Sequence, residues 1–273
     1  MSAEYALLGH PVSHSLSPKM FNTVFAQQGI NARYTAIDVP PEEHLDLRTV
    51  FKTYGLSGAN LTVPHKTAVL PQLDALSEAA ARAGAVNVVT AEGGSLVGHN
   101  TDAQGFIDAL DAAPGPRALI LGAGGAARAI GSALLAVGVR ELIVLNRSQS
   151  RAANMLEKLA AASPGAMLSH ADLSVEAFAQ AASRTRLVVN CTAGGARTTI
   201  AGFDPGALEA GARWMDINYW DVEPPGAATC PASGVVFQTG HSMLAHQAAH
   251  AFEIFTGRKI DGALLLDIIK DAQ

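Results

Sequence analysis

The chain has 273 residues, of which 49% are hydrophobic and 16% charged, and its formal net charge is −5 at pH 7. This length suits one large domain or two ordinary ones. The sequence contains no run of Lys and Arg, and phosphate backbones are bound by concentrated positive charge, so we expect no nucleic-acid partner. No apolar stretch reaches the ~20 residues that span a bilayer, so we expect no membrane partner either.

Cysteine and histidine usage predicts a reducing compartment and no bound metal. The cysteines, Cys191 and Cys230, form no CxxC pair, and two thiols do not make a disulfide framework. The N-terminal residues lack the basic segment and apolar core of a signal peptide, so we expect a cytoplasmic protein. His246 and His250 have a spacing that can bind metal on a helix, but the HExxH context is absent.

Short apolar runs alternate with amphipathic segments over the first hundred residues, which is typical of a mostly parallel α/β sheet. The sequence Glu92-Gly93-Gly94 between two apolar runs is a hairpin signal. The stretch at 112–116 contains proline and glycine and is interpreted as a connector. Strands are predicted at 5–9, 32–39, 58–63, 86–91 and 95–99, and helices at 18–28, 42–54 and 74–83.

A second alternation of strands and helices follows the connector and predicts a second α/β domain. Two helical segments, 241–256 and 261–271, close the chain. Strands are predicted at 117–122, 141–146, 166–170, 186–191, 213–218 and 234–239.

A glycine-rich turn joins the first strand and helix of this second domain. Gly122-x-Gly124-x-x-Ala127 matches the dinucleotide-binding pattern G-x-G-x-x-G/A. The first glycine permits the turn, the second lets the backbone approach a pyrophosphate, and N–H groups at the helix start meet its negative charge. The sequence therefore predicts a Rossmann domain in which the cofactor contacts Gly122, Ala123, Gly124, Gly125, Ala126 and Ala127.

The end of the next strand favours NADP over NAD. NAD enzymes place Asp or Glu there to bind the ribose hydroxyls. Here the strand runs into Asn146, Arg147, Ser148 and then Arg151. Guanidinium groups and a hydroxyl suit a 2′-phosphate. The alternative is that both arginines are solvated residues at a helix start.

Another strand end carries the polar loop Asn190-Cys-Thr192-Ala-Gly194-Gly195. Strand carboxyl ends face the ligand crevice in such sheets, so Thr192 could lie near the nicotinamide ribose. An ordinary glycine turn explains the loop equally well. Cys191 is not expected to be a nucleophile, because no His–acid pair accompanies it locally.

Polar clusters in the first domain are the candidates for substrate chemistry. Ser15 and Ser17 follow the first strand, and their neutral hydroxyls can pair with a carboxylate or a hydroxyl. Ser17 before Pro18 is also typical of a helix N-cap, and both interpretations can hold together. Asn60 and Thr62 alternate along a strand and so share a face.

Lys66 follows the carboxyl end of that strand, just after the two aligned polar side chains. A lysine in this position is a better candidate for chemistry than an ordinary surface lysine. Asn87 and Asp102 lie in two further polar clusters. Asp102 stands at a predicted helix start, where capping is the alternative role. An aspartate beside Lys66 would keep that lysine charged and oriented, although 36 residues separate the two in the sequence.

In combination these motifs closely resemble the shikimate dehydrogenase family over most of the chain. The resemblance rests on sequences in both predicted domains and in the last helical segment. They are Ser15-Leu-Ser17-Pro18, Asn60-Leu-Thr62-Val-Pro64-His-Lys66, Gly84-Ala-Val-Asn87, Asn100-Thr-Asp102-Ala-Gln-Gly105, Gly122-Ala-Gly124-Gly-Ala-Ala127, Asn146-Arg-Ser148 and Gly240 with Met243-Leu-Ala-His-Gln247.

The resemblance implies an NADP-dependent enzyme that interconverts 3-dehydroshikimate and shikimate with a catalytic Lys66–Asp102 pair. It implies a substrate domain of residues 1–103 and 240–273, completed by the last helices, and an NADP-binding domain of residues 104–239, in a monomer or homodimer. The implied substrate contacts are Ser15, Ser17, Asn60, Thr62, Lys66, Asn87, Asp102, Tyr219 and Gln247, and the implied cofactor contacts include Asn146, Arg147, Ser148, Arg151, Thr192 and Gly240.

Two positions depart from the family pattern. The family commonly has His where Phe21 stands, and it has Asp-x-x-Tyr-x-Pro followed by Thr where this chain has Asp216-Ile-Asn-Tyr219 and a displaced proline. These departures leave open a paralogue that acts on quinate or an aminated shikimate. A non-catalytic ligand sensor on the same fold is a further alternative, against which the retention of Lys66 and Asp102 speaks.

Overall fold

The structure is a computed structural model that describes residues 2–43, 45–192, 194–218 and 223–271. The chain divides into two compact units, one made of Met1–Gly105 with Leu244–Gln273 and the other of Phe106–Met243. Each unit contains a six-stranded sheet with helices. The predicted α/β class is therefore confirmed. No helix within the described ranges is both long and apolar enough to cross a membrane.

The sheet of the first unit combines parallel and antiparallel strands in the order β2-β1-β3-β5-β6-β4. β1 pairs in parallel with β2 and β3, whereas β5 runs antiparallel to β3 and β6. The ends of β1 and β3 therefore lie side by side at one sheet edge. The strands are β1 (Ala3–Gly9), β2 (Ala32–Asp38), β3 (Leu56–Leu61), β4 (Ala75–Leu76), β5 (Val88–Glu92) and β6 (Ser95–His99).

The sheet of the second unit is parallel throughout, in the order β12-β11-β10-β7-β8-β9. The strand order reverses between β7 and β10, and ligands of such sheets bind beyond the carboxyl ends at that reversal. The strands are β7 (Arg117–Leu121), β8 (Glu141–Leu145), β9 (Met167–Ala171), β10 (Leu187–Asn190), β11 (Arg213–Asp216) and β12 (Val236–Thr239).

Helices account for most of the remaining regular structure. They are α1 (Ser17–Gln27), α2 (Leu47–Tyr54), α3 (Glu78–Ala83), α4 (Asp102–Ala109), α5 (Gly125–Ala136), α6 (Gln149–Ala162), α7 (Val175–Ala182), α8 (Arg197–Ala201), α9 (Thr229–Ala232), α10 (His241–Thr256) and α11 (Gly262–Lys270).

The central strands of the second unit are buried on both faces. Ile120 and Val144 belong to an apolar cluster on one face, and Leu119, Ile143 and Trp214 belong to a cluster on the other. Alternate residues of a strand point to opposite faces, so a strand covered on both sides must be apolar at every position. This explains the uninterrupted apolar runs that predicted these strands.

Two predicted helices begin later than expected. The helix predicted at 42–54 begins at Leu47, because Asp46 caps it by accepting a hydrogen bond from the Thr49 N–H at 3.2 Å. The helix predicted at 74–83 begins at Glu78, and residues 75–76 form β4 instead. Pairing of β4 with β6 overrides the local helical pattern there, and the Asp74 carboxylate anchors the Leu96 N–H at 2.7 Å.

Gly105 allows α4 and α10 to approach closely within the first unit. A methyl group on Gly105 would lie 2.5 Å from the main-chain nitrogen of Gln247 and 2.6 Å from its Cα. Helix propensity alone favours alanine over glycine by about 1 kcal/mol. Here the methyl group would collide with backbone, which cannot rotate away, so the collision outweighs the gain in propensity.

We therefore expect Gly105→Ala to lower the free energy of unfolding by about 1–3 kcal/mol, measured by urea denaturation followed by circular dichroism. Gly202→Ala is a matched control, because its methyl group would meet its nearest atoms at 3.4 Å, and we expect a change within about 0.5 kcal/mol. A Gly105→Ala protein as stable as the parent would contradict the close approach.

Candidate active site

An ion pair joins Lys66, which follows β3, to Asp102, the first residue of α4. Lys66 Nζ lies 2.5 Å from Asp102 Oδ2, and the two side chains are 16% and 5% exposed. The main chain holds the lysine in place, since its carbonyl oxygen accepts a hydrogen bond from the Val86 N–H at 2.8 Å. So little exposure leaves the pair weakly screened by solvent, and a charge-assisted hydrogen bond is correspondingly strong there.

Asn87 holds this ion pair from the side. It is 2% exposed, and its Nδ2 donates to Asp102 Oδ1 at 2.9 Å and to Thr101 Oγ1 at 2.9 Å. Nδ2 also lies 3.3 Å from Gln247 Oε1 on α10. In return, Asn87 Oδ1 accepts the Thr101 N–H at 2.8 Å. Both oxygens of Asp102 are therefore engaged, one by Lys66 and one by Asn87.

The interpretation of Asp102 as a helix cap is wrong. The side chain of Asn100 caps the start of α4, because its Oδ1 accepts the Ala103 N–H at 3.3 Å. The Asp102 carboxylate is thereby left for Lys66 and Asn87. Its position in the first turn also places its negative charge at the N-terminus of a helix, which carries partial positive charge.

The capping interpretation of Ser17 is also wrong. α1 begins at Ser17 with Leu16 as its N-cap residue, and no side chain caps it. The Ser15 hydroxyl instead accepts the Ser17 N–H at 3.2 Å. The loop before it is tied to β2 by Asp38, which accepts from the Val12 N–H at 3.2 Å and contacts His10 Nδ1 at 2.8 Å.

The structure joins Asn60 and Gln247 to the same network. Asn60 Nδ2 donates to the Asn87 carbonyl oxygen at 3.2 Å, and Gln247 Nε2 donates to the Leu244 carbonyl oxygen at 3.0 Å. Thr62 follows the last residue of β3 and pairs through its N–H with the Leu8 carbonyl oxygen at 2.9 Å. Tyr219 lies outside the described residues.

Two members of this network were not singled out in the sequence. Thr101 links Asn87 to Gln247, although it stands inside a motif that was recognised for its neighbours. Tyr34 donates from its hydroxyl to Asn60 Oδ1 at 2.7 Å. A tyrosine on an alternating strand is typical of a core residue, so only the fold reveals that its hydroxyl reaches a polar side chain on a strand that is not its neighbour.

In the second unit the glycine turn has the conformation that its motif predicts. Gly122 directly follows β7 and has φ +103°, which glycine tolerates readily, and Gly124 is the N-cap residue of α5. A methyl group on Gly124 would meet nothing within 4 Å, so the backbone there is open to a ligand. Ala123 and Ala127 are buried, whereas Gly125 and Ala126 are half-buried.

The residues after β8 present cations and no carboxylate. Arg147 and Arg151 are exposed. The Ser148 hydroxyl caps α6 by accepting the Arg151 N–H at 3.4 Å, and Asn146 Nδ2 donates to the Ser148 carbonyl oxygen at 2.8 Å. These groups and the open turn at Gly124 fit a dinucleotide that carries an extra phosphate on its ribose.

A buried polar network fixes the ends of β10 and β11. Asp216 accepts hydrogen bonds from Asn190 Nδ2 at 2.8 Å and from the main-chain and side-chain N–H groups of Asn218 at 3.0 and 2.8 Å. Asn190 Oδ1 in turn accepts from the Thr192 N–H and hydroxyl. Thr192 is thereby held at the carboxyl edge of the sheet, and Gly240 is buried just after β12.

Burial changes the protonation of two histidines outside these networks. It lowers the pKa of His99, against the opposing charge of Glu92, and it lowers the pKa of His241. Both rings are therefore neutral at pH 7. Across the described ranges, no group of three or more His, Cys, Asp or Glu side chains is arranged to hold a metal ion.

Three family profiles match this chain, and together they cover most of it. One described as "Shikimate dehydrogenase substrate binding domain" matches residues 7–89. Another described as "Shikimate / quinate 5-dehydrogenase" matches residues 108–194. A third described as "Shikimate 5'-dehydrogenase C-terminal domain" matches residues 240–263.

Individual proteins agree with the profiles. "Shikimate dehydrogenase (NADP(+))" of Symbiobacterium thermophilum is 39% identical over 260 residues, which are 93% of this chain and 88% of that protein. The Thermus thermophilus shikimate 5-dehydrogenase, solved with NADP(H) and shikimate, is 34% identical with a TM-score of 0.83, covering 99% of this chain and 100% of that one.

A solved quinate dehydrogenase is also similar. The Corynebacterium glutamicum enzyme, in complex with NAD, is 29% identical with a TM-score of 0.85 and covers 99% of both chains. The curated relative at 39% identity and the three matching profiles nevertheless agree on one family, as the sequence motifs predicted. The chain therefore belongs to the shikimate dehydrogenase family.

Proposed function

We propose that the protein is an NADP-dependent shikimate dehydrogenase that interconverts 3-dehydroshikimate and shikimate. The observation that carries the proposal is the partly buried Lys66–Asp102 pair, at 2.5 Å and held by Asn87. An ammonium group restrained in this way is suited to proton transfer at a ketone or alcohol. The curated relative from Symbiobacterium, whose name gives this activity and cofactor, supports the same assignment.

The second unit is proposed to bind NADP. The glycine turn and the first turn of α5 would hold the pyrophosphate through the backbone of residues 122–127. Arg147 and Arg151 would bind the 2′-phosphate. Thr192 and Gly240 are proposed to contact the nicotinamide end. When bound, the reduced cofactor supplies the hydride that converts the ring ketone to an alcohol.

Lys66 is proposed as the group that transfers the proton. Negative charge develops on the ketone oxygen during reduction, and the Lys66 ammonium stabilises it and donates a proton. Asp102 holds the lysine ammonium in the correct orientation, and it accepts a hydrogen bond from a neighbouring substrate hydroxyl. The amine recovers its proton from solvent, to which its side chain remains 16% exposed.

The remaining polar groups of the first unit are proposed to bind the substrate. The hydroxyls of Ser15 and Ser17 would donate to its carboxylate without adding positive charge beside Lys66. Ring hydroxyls would be bound by Asn60, Thr62, Asn87 and Gln247, and Tyr219 is proposed as a further contact. Residues 1–103 and 240–273 would then form the substrate domain, and residues 104–239 the NADP domain.

Replacing Lys66 tests the proton transfer. We expect Lys66→Ala to lower kcat by about 10²–10⁴ with little change in KM for shikimate, which is the usual loss for a general acid. Lys52→Ala removes an exposed lysine on α2 and should leave both constants unchanged. A loss confined to KM would remove Lys66 from the chemistry, and full activity of Lys66→Ala would favour a role other than this reaction.

Replacing Arg147 tests the cofactor assignment. Removing a cation that binds a phosphate costs about 1.5–3 kcal/mol, so Arg147→Ala should weaken NADPH binding by about 10- to 100-fold. NADH lacks the 2′-phosphate, so its affinity should change by less than about twofold. Arg140→Ala, which removes an exposed arginine at the opposite end of β8, is the control. Equal effects of Arg147→Ala on both cofactors, measured by calorimetry, would contradict the assignment.

A panel of substrates separates this proposal from the alternative that the protein oxidises quinate. The similarity to the Corynebacterium quinate dehydrogenase is the observation that supports this alternative. We expect the highest kcat/KM for shikimate with NADP when shikimate and quinate are each tested with NADP and NAD. A quinate kcat/KM equal to or above that of shikimate would assign the paralogous activity. The absence of any oxidation would favour a ligand sensor.

A further inference from the structure

The hydroxyl of Tyr34 contacts a residue of the proposed substrate site from inside the first unit. Tyr34 lies on the edge strand β2, and Asn60 lies on β3, with β1 between them. The phenol oxygen is 2.7 Å from Asn60 Oδ1, and both residues are buried. The side chain of Tyr34 therefore crosses one strand to reach the amide.

The second contact of Asn60 shows which atom of its amide is the nitrogen and which is the oxygen. Asn60 Nδ2 faces the Asn87 carbonyl oxygen at 3.2 Å. A carbonyl oxygen only accepts hydrogen bonds, so the amide atom opposite it must be the nitrogen. The atom opposite Tyr34 is then the oxygen, and the phenol is the donor. Among the described residues, the second hydrogen of Asn60 Nδ2 has no partner, so the amide has an N–H left for a ligand.

Tyr34 itself is held firmly by α1. Asn22 Nδ2 donates to the Tyr34 carbonyl oxygen at 2.8 Å, and Asn22 Oδ1 accepts the Tyr34 N–H at 2.9 Å. The ring stacks on Phe21 with centroids 4.3 Å apart and planes 9° apart. Phe21 is the residue that stands where the family commonly has His, and it packs in turn against Phe252 and Phe255.

From these contacts we infer that Tyr34 is a positioning residue, which holds the Asn60 amide so that it offers an N–H, and not its oxygen, to a substrate oxygen. This inference rests on the proposed function and adds a determinant of substrate affinity to it. Tyr34 acts on the substrate through Asn60 and takes no part in proton transfer, which belongs to Lys66. Its loss should therefore affect substrate binding and leave the chemical step unchanged.

Tyr34→Phe tests the inference, because it removes the hydroxyl and keeps the ring stacked on Phe21. We expect shikimate binding, measured by calorimetry on the protein without cofactor, to weaken by about 5- to 30-fold. Its kcat should stay within about twofold of the parent value. Tyr5→Phe is the matched control, since its hydroxyl donates to the Phe255 carbonyl oxygen at 2.9 Å in the same aromatic cluster, and it should leave shikimate binding unchanged.

A double-mutant cycle shows whether Tyr34 acts through Asn60. In an Asn60→Ala background the amide is gone, so adding Tyr34→Phe should weaken shikimate binding by less than about twofold further. An equal effect of Tyr34→Phe in both backgrounds would overturn the inference. So would equal losses from Tyr34→Phe and Tyr5→Phe, or a Tyr34→Phe protein that no longer folds, because the hydroxyl would then serve the fold and not the amide.

The failure of the inference is distinguishable from failure of the proposed function. If the parent protein oxidises shikimate with NADP but Tyr34→Phe binds shikimate as tightly as the parent, the inference alone is wrong. If the parent protein neither binds nor oxidises shikimate, the proposed function is wrong, and the inference falls with it.

Discussion

The arrangement of the candidate active site depends on the hydrogen bonds made by the side chain of Asn87. It joins β5, the start of α4 and α10 through hydrogen bonds to Asp102, Thr101 and Gln247. Asp102 and Thr101 are buried and Gln247 is half-buried, and leaving a buried polar group without its partner costs about 1–3 kcal/mol. The network therefore stabilises one arrangement strongly. Lys66 is held against a carboxylate that is itself held on its other side.

The sheet of the first unit explains why these residues meet. β1 and β3 are parallel neighbours, so the loop with Ser15 and Ser17 and the turn that leads to Lys66 leave the sheet at the same edge. β5 runs antiparallel to β3, so Asn87 precedes β5 at that edge instead of following it. Strand direction thus brings the ends of these segments to the same edge of the sheet, and the position of Gln247 on α10 adds a residue from the end of the chain.

Much of the fold could be predicted from the sequence because its signals are local. Uninterrupted apolar runs gave the central strands of the second unit, and the glycine turn gave the start of α5. β4 was missed because its partner β6 lies some twenty residues ahead, and a two-residue strand has no periodicity of its own. The later start of α2 depends on Asp46, whose capping role was not assigned before the structure.

Less of the candidate site could be predicted from local sequence patterns. Spacing alone could not join Lys66 to Asp102, and the family resemblance suggested that pairing. Two contacts join elements far apart in the sequence. Tyr34 contacts Asn60, and Asp38 contacts the loop that leads to Ser15 and Ser17. Nothing local marks a core tyrosine whose hydroxyl is a donor. Capping offered a simpler role for Ser17 and Asp102, and it was wrong in both cases. Leu16 is the N-cap residue of α1, and Asn100 Oδ1 accepts the Ala103 N–H at the start of α4.

The two units use a similar arrangement at their strand ends. In each unit an asparagine holds a buried aspartate, through Asn87 and Asp102 in the first and through Asn190 and Asp216 in the second. Asp216 also accepts from the neutral amide of Asn218, which fixes a loop. Asp102 is paired with an ammonium group that can release a proton. The hydrogen bonds to Asp216 hold the backbone after β11 in place, whereas the bond between Asp102 and Lys66 orients an ammonium group. The proposed function therefore places the reaction at the first unit's aspartate and gives the second's a role in positioning the loop that contains Thr192.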